Sequence, residues 1–92
     1  MFTPDELKRL KNEAAELLEQ WGWQQGWYAH DGPHSPMCLV GAVQKAYFGD
    51  PNTELNGPEL KQLQEDLGIE DVVAWNDTPG RTKEEILAVL RS

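Results

Sequence analysis

Residues Thr3–Trp21 read TPDELKRLKNEAAELLEQW, and the fold of the whole chain follows from this stretch. Leu7, Leu10, Ala14, Leu17, Leu18 and Trp21 recur at three- and four-residue spacing, while Lys8, Arg9, Lys11, Asn12, Glu13, Glu16 and Glu19 fill the remaining positions. That spacing puts one apolar stripe along a helix; a strand would alternate every second residue. Thr3 stands where an N-cap belongs, Pro4 at the first helical position and Glu6 three residues after the cap, the pattern of a capping box. Gly22 predicts the stop.

Outward from this helix, the stretch 23–36 reads WQQGWYAHDGPHSP and has no helical period. We expect a long aromatic loop, with a short extended piece around Trp27 and Ala29 and a turn at His30–Pro33. Ser35 and Pro36 predict the cap and first residue of a second helix that runs to about Phe48, with Leu39, Val43, Ala46 and Tyr47 on one side. Gly41 inside this helix costs about 0.5–1 kcal/mol relative to alanine, so its presence predicts the close approach of another backbone. Pro58 opens a third helix with Leu60, Leu63 and Leu67 inward, and Gly68 suits a left-handed C-terminal position. Ile69, Val72, Val73 and Trp75 fit either a short strand or one or two helical turns. Thr82 and Glu85 repeat the capping box ahead of Ile86, Leu87, Val89 and Leu90. The expected architecture is mainly α: a single domain over residues 1–92, built as a small irregular bundle of about four short helices.

Composition bounds the function. An apolar fraction of 39% with four tryptophans supports a packed core rather than disorder. The net charge of -8 comes from 16 acidic and 8 basic side chains. Seven of the acids fall between Asp50 and Asp71, with only Lys61 to offset them. A field of this sign opposes binding to nucleic-acid phosphates and to anionic membranes, and it favours approach to a basic partner. No secretory leader and no membrane-spanning run is visible, so the cytoplasm is the expected compartment. One cysteine, Cys38, forms no intrachain disulfide and no cysteine-rich metal cluster.

The segments Cys38-Leu39-x-Gly41-Ala42 and Trp75-Asn76-Asp77-x-Pro79-Gly80-Arg81-Thr82, with the region around Trp23, Asp31 and Gly32, resemble a family of small uncharacterised proteins from actinobacteria and their phages. The resemblance implies a shared fold and, through a phage origin, a protein that binds a host protein. It implies no enzymatic activity, cofactor or fixed partner.

Three groups of residues compete for a function. With Ser35 as cap, Cys38 falls at the third helical position, where helix amides favour a thiolate; His30, His34 and Asp31 lie nearby, the residue types of a cysteine-dependent hydrolase. His34 precedes Pro36, outside the helix, so its four-residue spacing does not place it over Cys38. The same residues match no recognised metal-ligand spacing, and a buried, apolar Cys38 is the favoured reading. In the loop Asn76–Thr82, Asn76 and Asp77 can satisfy backbone amides, Pro79-Gly80 signals a type II turn, and Arg81 can bridge to Asp77 or Asp31. The loop lacks the glycines and lysine of a phosphate-binding loop, so no nucleotide or other cofactor is predicted. Tryptophan and arginine anchor protein interfaces. The reading is therefore a non-catalytic protein-interaction domain that binds through Trp27, Trp75, Asp77 and Arg81. Symmetric self-association is a variant of it. The cysteine hydrolase of Cys38, His34 and Asp31 is the alternative.

Overall fold

Thr3 caps the first helix, α1 (Pro4–Trp21): its hydroxyl accepts from the Glu6 N–H at 3.1 Å, and the Glu6 carboxylate accepts from the Thr3 N–H at 2.9 Å. The expected stripe is buried, with Leu7, Leu10, Ala14 and Leu18 in the core and Leu17 and Trp21 at its margin. Lys11 departs from expectation. It is buried rather than on the solvent face, and its ammonium meets Asp66 at 2.7 Å, which ties α1 to the third helix.

The computed structural model describes residues 1–32 and 34–92. It contains four further helices: α2 (Leu39–Phe48), α3 (Gly57–Leu67), α4 (Val72–Asn76) and α5 (Lys83–Leu90). The ambiguous run at Val72–Trp75 is thus helical, making five helices where about four were expected. The capping box of Thr82 and Glu85 is present on α5. A third box, Asn56 with Glu59, opens α3 one residue before the expected start. Gly68 ends α3 with φ +73°, as its position predicted.

The start of α2 is a correction. Its N-cap is Cys38, not Ser35. Backbone pairing holds the preceding segment extended: the Met37 N–H donates to the Gly22 carbonyl and the Gln24 N–H to the Met37 carbonyl, both at 3.0 Å, forming a parallel bridge between Trp23 and Met37. The extended piece therefore lies at Trp23 rather than at Trp27 and Ala29. Ser35 donates its hydroxyl hydrogen bond to the Gly32 carbonyl at 2.6 Å. His30 and Asp31 lie in a turn; Pro33, the last residue of that expected turn, lies outside the described residues.

Helix α1 lies against α2 and α5, and α2 against α4. Side-chain amides close the connections. Gln44, buried in α2, donates to the Pro51 carbonyl at 2.5 Å and accepts from the Leu55 N–H at 3.0 Å, which secures the turn after Phe48. Gln62 of α3 exchanges two hydrogen bonds with the backbone of Phe2. At the far end of α1, Arg91 pairs with Glu19 at 3.0 Å. No described helix is long and apolar enough to cross a membrane.

Candidate functional site

Gly41 fixes how the aromatic loop meets α2. A Cβ there would collide with the backbone of Tyr28, so the chain can pass this close only over a glycine, as the sequence predicted. The approach lets the Cys38 N–H donate to the Tyr28 carbonyl at 3.1 Å. Trp27 is carried past this crossing and stays 62% exposed, with the ring of His30 tilted against it at 5.1 Å.

Asn76, the last residue of α4, fastens the other side. It is fully buried. Its Oδ1 accepts from the Trp23 indole N–H at 2.7 Å and from the Leu39 N–H at 3.0 Å. Its Nδ2 donates to the Gln24 carbonyl at 3.3 Å and to the Asp77 carboxylate at 3.0 Å. Both lone pairs and both N–H groups are thereby used, the condition under which a buried amide rigidifies its surroundings instead of destabilising them. One side chain joins the loop, the start of α2 and the end of α4. Gln25 reinforces the junction from outside by donating to the carbonyls of Asn76 and Thr78.

These constraints leave a cleft of about 240 Å³ lined by Gly26, Trp27, Tyr28, Cys38, Val73, Asn76 and Asp77. Asp77 Oδ1 accepts from the Gly26 N–H at 2.9 Å as well as from Asn76. Among the described residues Oδ2 accepts from nothing. No buried side-chain oxygen or nitrogen of the described residues lacks a partner, so Oδ2 is open to solvent. Among the described residues no ion pair engages the Asp77 carboxylate.

Cys38 is buried, and its sulfur accepts from the Gly41 N–H at 3.2 Å as the helix cap. Burial pushes the thiol pKa up, and the Asp77 carboxylate adds to the rise; the N–H groups of Gly41 and Val40 oppose it. A neutral thiol is a poor nucleophile. The ring of His34 packs on Trp21 with centroids 4.8 Å apart, and Asp31 is exposed. No hydrogen bond joins Cys38 to His30, His34 or Asp31 among the described residues. No group of three or more His, Cys, Asp or Glu side chains converges as metal ligands there either.

Of the four predicted binding residues, the fold brings Trp27 and Asp77 together at the cleft and sets Trp75 and Arg81 apart. The Arg81 guanidinium lies over the Trp75 ring at 4.0 Å, donates to the Trp75 carbonyl at 3.0 Å and pairs with Glu85 at 2.9 Å. Its partners are Trp75 and Glu85, not Asp77 or Asp31. The turn before it has the expected form, with Arg81 N–H donating to the Thr78 carbonyl at 3.0 Å and Gly80 at φ +86°. Val73 is a cleft residue that sequence reasoning missed. Placing Val73 required knowing that residues 72–76 are helical and which face meets the loop.

A second exposed apolar group lies elsewhere, where Tyr47 packs edge-on against Phe2 at 4.9 Å and on Phe48 at 4.7 Å. Phe2 is buried, and the partly exposed rings of Tyr47 and Phe48 contact each other.

Comparison with curated proteins and with solved structures returns no match. Over residues 3–92 the chain matches the profile of a family of unknown function, DUF6197, and it belongs to that family.

Proposed function

We propose that this chain is a non-catalytic binding domain whose partner protein docks at the cleft between Trp27 and Val73. One observation carries the reading. The most exposed aromatic ring, Trp27, stands at the rim of a cleft built on the fully satisfied Asn76, so a large apolar anchor is held by a rigid support. Interfaces concentrate their binding energy in such aromatic anchors beside pockets that exclude water. The protonated, cap-bonded Cys38 favours binding over cysteine catalysis.

Trp75 and Arg81 act in this reading as a staple that holds the loop after α4, and not as part of the contact. The acidic segment Asp50–Asp71 biases approach toward a basic partner. Asp66 is paired with Lys11, whereas the bonds that Asp50, Glu59 and Asp71 accept come from neutral groups and leave their charge in place. The resemblance of the motif segments to actinobacterial and phage proteins makes a cytosolic protein of an actinobacterial host the partner to seek.

The test is affinity capture from actinobacterial cytosol with the native protein and with Trp27→Ala. Truncating an exposed ring leaves the fold intact, so circular dichroism of the two should coincide. One protein recovered with the native form and lost with the variant is the expected outcome. Equal recovery by both, or recovery by neither, overturns the reading.

A further inference from the structure

We infer that the cleft recognises a cationic side chain, an arginine presented by the partner protein, held between the face of Trp27 and the free oxygen of Asp77. This rests on the binding reading above and names the chemistry of the group bound. Three observations point to it. The first is the carboxylate. Asp77 Oδ1 is held by Gly26 and Asn76, so the group is oriented, while among the described residues Oδ2 has no partner and no cation pairs with the carboxylate. A fixed, unneutralised carboxylate in a cleft of low polarity favours a cationic donor over any neutral one.

The second is the state of the indoles. Lys45 stands over Trp21 at 5.3 Å, and Arg81 over Trp75 at 4.0 Å. Trp23 gives its N–H to Asn76. Trp27 differs: its exposed ring meets the tilted His30 ring and, among the described residues, no lysine or arginine. A guanidinium laid on an indole keeps its N–H groups pointing outward in its own plane, where a neighbouring carboxylate can accept them. An ammonium is more strongly hydrated and has no flat face to stack.

The third is the sign of the surroundings. Burial and, after it, the Asp77 carboxylate raise the pKa of Cys38, and burial and then Glu54 raise that of Tyr28, so both neighbours in the cleft stay neutral. None of the described residues that line the cleft is a base that would repel an incoming arginine.

The test uses the full chain, labelled with ¹⁵N, and Nα-acetyl-arginine amide as the probe. The Gly26 amide donates to Asp77 and the Trp27 indole N–H sits on the stacking ring, so these two signals report the site. Both should move and saturate at roughly millimolar probe, the affinity range of a single side chain. The isosteric, uncharged citrulline amide and the variant Asp77→Asn should each weaken binding about ten-fold. Asparagine at position 77 can still accept from Gly26 and Asn76, so the variant keeps the loop in place. No saturable shift, equal shifts with citrulline amide, or unchanged binding by Asp77→Asn overturns the proposal. A lysine amide that binds at least as tightly overturns the choice of arginine. Capture separates the two levels: a partner lost with Trp27→Ala but retained by Asp77→Asn leaves the docking site standing and removes its cationic ligand.

Discussion

At the residue scale, Asn76 and Gly41 decide whether the cleft exists. Asn76→Ala would remove four hydrogen bonds at a fully buried position and strand the Trp23 indole N–H and the Leu39 N–H. Each stranded donor costs about 1–3 kcal/mol, so the variant should lose about 3 kcal/mol in urea unfolding. A loss below about 1 kcal/mol would mean that the loop and α4 are not joined through this side chain. Gly41→Ala should reverse the usual helix preference. Alanine ordinarily gains about 1 kcal/mol in a helix interior, but here its Cβ meets the Tyr28 backbone, so the midpoint of thermal unfolding should fall. Gly57→Ala is the control, with open space around its Cβ and no fall expected. The close approach at Gly41 was legible in the sequence because a glycine inside a helix needs a reason. The hub at Asn76 was legible only as a residue able to satisfy loop amides. Its partners Trp23, Gln24 and Leu39 lie 53, 52 and 37 positions away, and no local pattern encodes such pairings.

At the element scale, helix ends carry most of what could be read. The boxes Thr3-Glu6 and Thr82-Glu85 formed as their spacing predicted, because both partners lie within one turn and need no help from the rest of the chain. The start of α2 could not be read this way: the local signal of Ser35-Pro36 lost to backbone pairing with Gly22 and Gln24, a tertiary bond. The boxes also set a pH dependence. Glu85 is held below its ordinary value of 4.5, first by the Thr82 N–H and then by Arg81; Glu6 is lowered by Thr3 in the same way. A carboxylate with a lowered folded pKa contributes stability that is present above its unfolded pKa and is lost as the pH falls through the folded value. Urea unfolding should therefore weaken between about pH 5 and pH 3, and the decline should be shallower in Glu85→Gln. An identical slope in both proteins would show that Glu85 takes no part.

At the scale of the whole molecule, the helical class followed from the period of α1, but the division of the surface did not. Sequence grouped Trp27, Trp75 and Arg81 as one patch because tryptophan and arginine anchor interfaces, and added Asp77 from the same loop as Arg81. Folding sends Trp75 and Arg81 into a pair of their own and leaves Trp27 and Asp77 at the cleft, since only the packed α4 determines which of its sides meets the loop. Two apolar surfaces then compete for a partner, the cleft and the Tyr47–Phe48 face. Photo-crosslinking in the cytosol used for capture separates them directly. A small diazirine side chain is placed at Val73, on the cleft and 38% exposed, or at Phe48, 42% exposed on the other face. The account predicts one discrete adduct from position 73 and none from position 48. An adduct from position 48 with none from position 73 would contradict it.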